Sequence, residues 1–158
     1  MVNSVVAELA EIFLKNQWRL STAESCTGGL VAAAITTLSG SSNWFERGYV
    51  TYSNEAKTQD IGVDPELIKE HGAVSESVAI AMALGTKKTS QSQVALSITG
   101  IAGPTGGSPE KPVGTVCFGW ALQDGSVVVE TQLFSGNRES IREQACHYSL
   151  KRLLELCK

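Results

Sequence analysis

Two short stretches carry residue types able to do acyl-transfer chemistry. The first is Ser21-Thr22-Ala23-Glu24-Ser25-Cys26-Thr27-Gly28-Gly29-Leu30. An extended run with β-branched Thr22 passes straight into a helical pattern of Leu30, Ala33, Ala34 and Leu38, with Ser25 at the junction. A hydroxyl there stands at the carboxyl edge of a sheet, where open α/β sheets place ligands. It also faces the free amides and positive dipole end of the next helix. The commoner use of such a residue is as a helix N-cap, and the spacing alone leaves both uses open. The second stretch is Tyr49-Val50-Thr51-Tyr52-Ser53-Asn54-Glu55-Ala56-Lys57. If its strand lies parallel to the first, Lys57 falls within a turn or two of the same edge. The positive potential there lowers an amine's pKa, and a neutral lysine is a usable general base for a serine. Tyr52 would hold that lysine or relay a proton. The competing reading is a solvated lysine and a half-buried strand tyrosine.

A third signal is the loop Gly100–Pro112, thirteen residues without periodicity. Loops of that length in compact domains are usually functional, and its glycines would turn amides toward an anion. It carries neither a Walker lysine nor a Gly-x-Gly-x-x-Gly fingerprint. Glu24 would orient a base or bind an amide, or simply cap the turn. His71 and His147 lie far apart and offer too few ligands for a metal. Arg138 and Arg142 fall in the first turns of the last helix, where they would meet a phosphate or lie on a solvated face.

The elements that must position these residues follow from the hydrophobic pattern. Val5, Val6, Leu9, Ile12 and Phe13 form an apolar stripe on a first helix ending near Asn16, with Ser4 as its expected cap. A strand over 19–23 leads into a helix over 28–38. Trp44 and Phe45 open a second strand running to Tyr52. Ser53-Asn54 cap a helix over 55–61 that Gly62 closes, Asp64-Pro65 start a helix that stops at Gly72, and Ser75 starts another. Val94–Thr99 is an apolar run suited to a buried central strand. Strands over 113–122 and 126–134 meet at the hairpin signal Asp124-Gly125. A last helix starts near Asn137. The expected fold is therefore α/β, a mixed sheet with helices on both faces.

With 158 residues the chain is expected to form a single domain, 1–158, able to bury roughly two-thirds of its unfolded surface without metal or disulfide. A net charge of −3 gives no basic footprint for nucleic acid. No apolar run reaches membrane-spanning length, and Met1-Val2-Asn3-Ser4 does not open a secretory signal. Cys26, Cys117, Cys146 and Cys157 form no close pair and read as reduced thiols of a cytoplasmic protein.

Four ordered blocks go further. Ala23-Glu24-Ser25-Cys26-Thr27-Gly28-Gly29 resembles the opening motif of the CinA C-terminal-domain family. So do Trp44-Phe45-Glu46-Arg47-Gly48 with Thr51–Lys57, Gly72-Ala73-Val74-Ser75-Glu76, and Thr99–Pro104 running on to Lys111–Val116. The resemblance covers nearly the whole chain and is nearest to the stand-alone bacterial branch, which lacks the longer proteins' separate N-terminal domain. It implies a three-layer α/β/α fold, no cofactor and no metal. It implies hydrolysis of nicotinamide mononucleotide to nicotinate mononucleotide and ammonia in pyridine-nucleotide recycling. The family's catalytic serine, lysine and tyrosine fall on Ser25, Lys57 and Tyr52. The substrate-binding candidates are Thr27, Gly28, Gly29, Thr99, Gly103 and Arg142. Amides from Cys26 to Gly28 would hold the oxyanion. The expected partners are a small-molecule substrate and further copies of the chain, with no nucleic acid and no membrane. The rival reading is a non-catalytic nucleotide-binding or regulatory module of the same family; another amide substrate is the third.

Overall fold

The computed structural model describes residues 2–158. Its sheet has five strands, β1 (Leu20–Glu24), β2 (Phe45–Val50), β3 (Val94–Gly100), β4 (Thr115–Ala121) and β5 (Val127–Leu133), in the spatial order β2-β1-β3-β4-β5. β2, β1 and β3 run parallel, whereas β4 and β5 are antiparallel additions. Every residue of β1 and β4 is buried, and β3 is buried up to Gly100, as strands covered on both faces must be. The edge strands β2 and β5 are half exposed.

Six helices cover the sheet: α1 (Val2–Asn16), α2 (Leu30–Thr36), α3 (Asn54–Ile61), α4 (Pro65–His71), α5 (Glu76–Ser90) and α6 (Arg138–Cys157). α1, α2 and α6 pack together over one face, around Leu9, Phe13, Trp44, Phe118 and Leu150. α3, α4 and α5 cover the other, around Ile61, Ile68, Val78 and Met82. The result is the α/β/α sandwich with a mixed sheet that the pattern implied. Local caps set most boundaries. Ser53, Asp64, Ser75 and Asn137 each accept a backbone amide from the first turn of α3, α4, α5 and α6.

Several boundaries depart from the sequence expectation. α1 begins at Val2, so Ser4 lies within its first turn rather than before it. α2 is seven residues long, because Gly28 and Gly29 take left-handed φ values of 57° and 108° and delay the helix. Trp44 is buried in the core ahead of β2, which ends at Val50 and leaves Tyr52 in the following corner, 61% exposed. β4 starts at Thr115 because Gly114 and Ile101 first close the base of the long loop by hydrogen bonds.

Candidate active site

The parallel register brings the carboxyl ends of β1, β2 and β3 to one rim. Glu24 pairs with Val50 on one side and Ile98 on the other. Beyond the rim, the Ser25 amide donates to the Ile98 carbonyl at 3.0 Å and the Thr51 amide to the Glu24 carbonyl at 2.9 Å. The corner after β1 and the corner after β2 are thereby fixed against each other. They open on a cavity of about 280 Å³ lined by Ser25, Lys57, Tyr52, Thr99, Gly103 and Arg138, among others. A larger cleft of about 360 Å³ lies between α3 and α4, lined by Thr58, Gln59, Ile68 and Lys69, and it holds neither Ser25 nor Lys57.

Lys57 Nζ donates to Ser25 Oγ at 3.1 Å. It also faces three main-chain carbonyls, Thr51 at 2.9 Å, Tyr52 at 3.3 Å and Ser53 at 3.4 Å. Lys57 is only 1% exposed and makes no ion pair with another described residue. Burial pulls its pKa below the ordinary lysine value, and the fields of Cys26 and Glu55 act in the opposite sense. The sequence attributed such a shift to the helix dipole; desolvation is the larger cause. The three carbonyls complement an ammonium, so the pocket disfavours the charge by burial while offering acceptors once the charge forms. Ser25 is 8% exposed, and its Oγ has one acceptor, the Tyr52 carbonyl at 3.4 Å. Burial also pushes the neighbouring Cys26 thiol up to about 12, so it stays protonated beside the hydroxyl.

The Tyr52 hydroxyl is not at the lysine. It accepts from Arg138 Nη2 at 3.2 Å, while Lys57 meets only the Tyr52 carbonyl. Thr99 lines the cavity and donates to the Ala73 carbonyl at 2.9 Å. Gly103 lines it too, its carbonyl accepting from Arg138 Nη1 at 2.7 Å.

The other four binding candidates do not lie on the cavity wall. Thr27 is fully buried and gives its hydroxyl to Glu24 Oε1 at 2.6 Å. Gly28 and Gly29 shape the turn into α2. Arg142 donates to the carbonyls of Cys26 at 3.0 Å and Thr27 at 3.2 Å. The arginine at the cavity is Arg138, one helical turn earlier. Nothing in the sequence distinguishes the two, because both lie on the side of α6 that meets the corner. The amino end of α2 is also closed. Glu24 Oε1 takes the amides of Gly29 and Val31, and Oε2 takes that of Ala32. The Gly28 amide turns back to the Ser25 carbonyl at 3.1 Å. Of the amides from Cys26 to Gly28, those of Cys26 and Thr27 donate to no other described residue.

Among the described residues no three His, Cys, Asp or Glu side chains converge on one point. No described helix is long and apolar enough to cross a membrane.

Residues 2–157 match the family model of the CinA C-terminal domain. The nicotinamide-nucleotide amidohydrolase PncC of Escherichia coli K12 is 56% identical over 134 residues, 85% of this chain and 81% of that protein. The protein of the same name from Enterobacter agglomerans is 50% identical over 153 residues, 97% of this chain and 93% of its own length. A solved competence/damage-inducible protein from Agrobacterium tumefaciens superposes with a TM-score of 0.96 at 39% identity, covering 99% of this chain and 96% of that one.

Proposed function

The chain belongs to the CinA C-terminal domain family, and from that premise we propose that it hydrolyses the carboxamide of nicotinamide mononucleotide. The products are nicotinate mononucleotide and ammonia, a step in pyridine-nucleotide recycling carried out by one catalytic domain. The observation that carries the reading is the 3.1 Å contact between the Ser25 hydroxyl and a buried, unpaired lysine amine. The names of relatives 50–56% identical supply the substrate class.

In the proposed reaction, neutral Lys57 accepts the Ser25 proton as Oγ attacks the carboxamide carbon. The new ammonium is held by the carbonyls of Thr51, Tyr52 and Ser53. The amides of Cys26 and Thr27, which donate to no other described residue, are the available donors for the oxyanion. Lys57 then returns the proton to the departing nitrogen, the C–N bond breaks and ammonia leaves an acyl-Ser25 ester. Water attacks that ester, Lys57 takes its proton and passes it back to Ser25 Oγ, and the acid is released. Tyr52 acts through its carbonyl on the lysine and through its hydroxyl on Arg138. Arg138 is the cation facing the cavity, and a substrate phosphate would draw it by charge-assisted hydrogen bonds. Thr99 and Gly103 complete the lining, Gly103 through the carbonyl that Arg138 holds.

Ammonia release from nicotinamide mononucleotide by wild type, Ser25→Ala and Lys57→Ala tests the assignment. Turnover by wild type and its loss in both variants is expected. Two folded variants with wild-type turnover would overturn it.

A further inference from the structure

Two ionic side chains away from the cavity wall grip the Ser25 turn from opposite sides. Glu24, 1% exposed, collects donors: the Thr27 hydroxyl and the amides of Gly29, Val31 and Ala32. Arg142 reaches across from α6 and collects acceptors, the carbonyls of Cys26 and Thr27. The anion and the cation form no ion pair with each other; the peptides of the turn lie between them. We infer that Glu24 and Arg142 are positioning residues that hold the Ser25 hydroxyl and the adjacent amides of Cys26 and Thr27 in reactive geometry without touching substrate. This rests on Ser25 being the nucleophile proposed above.

Three physical points support it. First, a helix end needs no buried carboxylate, since a local Ser, Asp or Asn serves, as at α3, α4 and α6. A buried charge is costly to desolvate and would be out of proportion for capping a seven-residue helix. Second, a peptide unit is planar and trans, so its carbonyl and amide point opposite ways. Arg142 on the Cys26 carbonyl therefore turns the Thr27 amide away from α6. Arg142 on the Thr27 carbonyl likewise turns the Gly28 amide away, and that amide is found on the Ser25 carbonyl. The orientation of the turn is thus set by the guanidinium, whose rigid planar fork fixes two carbonyls in one geometry where an ammonium on a flexible stem would leave them free to rotate. Third, the turn leaves room for it. A Cβ at Gly28 would lie 3.3 Å from Arg142 Nη2, in a backbone conformation that already favours glycine.

The test compares Arg142→Lys, Arg142→Ala and Gly28→Ala with wild type. In Gly28→Ala the arginine is kept but crowded. Ammonia release from nicotinamide mononucleotide should fall about 10²-fold in kcat, as for a misplacement of about 1 Å, with KM within about threefold. The pH midpoint of kcat/KM should not move, because Lys57 keeps its surroundings. Millimolar guanidinium should restore part of kcat to Arg142→Ala and none to Gly28→Ala. A rise in KM with kcat intact would make Arg142 a substrate contact and overturn the inference, as would wild-type kcat in Arg142→Lys. A substrate-independent readout separates this inference from the proposed activity. With a small fluorophosphonate, the Ser25 Oγ–P bond forms, fluoride leaves and Lys57 takes the proton. Slower labelling in the folded variants is expected even if wild type leaves nicotinamide mononucleotide intact. Equal labelling rates would overturn the positioning role.

Discussion

The corner after β1 and the corner after β2 are built alike and used oppositely. Each joins a parallel strand to a helix at the same rim. After β2 the chain caps α3 locally through Ser53, and three successive carbonyls, of Thr51, Tyr52 and Ser53, converge on an amine from within that helix. After β1 the helix is capped by a residue that precedes the turn, Glu24, and two amides, of Cys26 and Thr27, donate to no other described residue. One corner gathers acceptors around a base, and the other spares donors beside a hydroxyl. The lesson is that a strand–helix junction offers both polarities, and the side chains around it decide which remains available.

The largest expected effects come from removing either corner's reactive group. Ser25→Ala should lower kcat by roughly 10⁴-fold. Lys57→Ala should cost about 10²- to 10⁴-fold, the range for a general base. Equal residual rates in the two single variants and the double variant would show that the corners act as one unit. A smaller effect is expected at the mouth. Arg138→Ala removes the guanidinium that joins Tyr52 and Gly103. It should raise KM about 10- to 100-fold, as loss of a hydrogen bond to a charged group would, with kcat less affected. Nicotinamide riboside, which lacks the phosphate, should not distinguish the variant from wild type.

Stability offers a gentler comparison. Lys57 has a depressed pKa, so between its folded pKa and 10.5 the unfolded chain binds more protons. Its contribution to stability therefore grows as pH rises through that window. The stability of wild type relative to Lys57→Met should increase with pH there, measured by denaturant unfolding. The smallest effect belongs to a cap remote from the cavity. Asp64→Ala should cost about 1 kcal/mol of stability and leave kcat and KM unchanged.

Much of this was legible in the sequence because it is local. Ser53, Asp64-Pro65, Ser75 and Asn137 announce helix starts, Gly62 an end, and the unbroken apolar run from Val94 a central strand. Parallel pairing of β1 and β2 then brings Ser25 and Lys57 to one rim. What could not be read depends on distant contacts. No spacing rule says that Glu24 caps a helix beginning six residues later, or that this closes an amino end that looked open. Arg138 and Arg142 are a turn apart, and only the fold decides that one meets the cavity and the other the turn's carbonyls. Tyr52 looked like a strand residue near the lysine. Because β2 stops at Val50, its hydroxyl swings out to Arg138.

The central claim is that the amine at the β2 corner is uncharged when it meets the Ser25 hydroxyl. Nitrogen-15 NMR titration of the Lys57 Nζ resonance, assigned with Lys57→Ala, tests it directly. The account predicts a midpoint below 10.5, matched by a rise in kcat/KM with the same midpoint. A midpoint at or above 10.5, or a kcat/KM that is flat through the Lys57 titration, would contradict it.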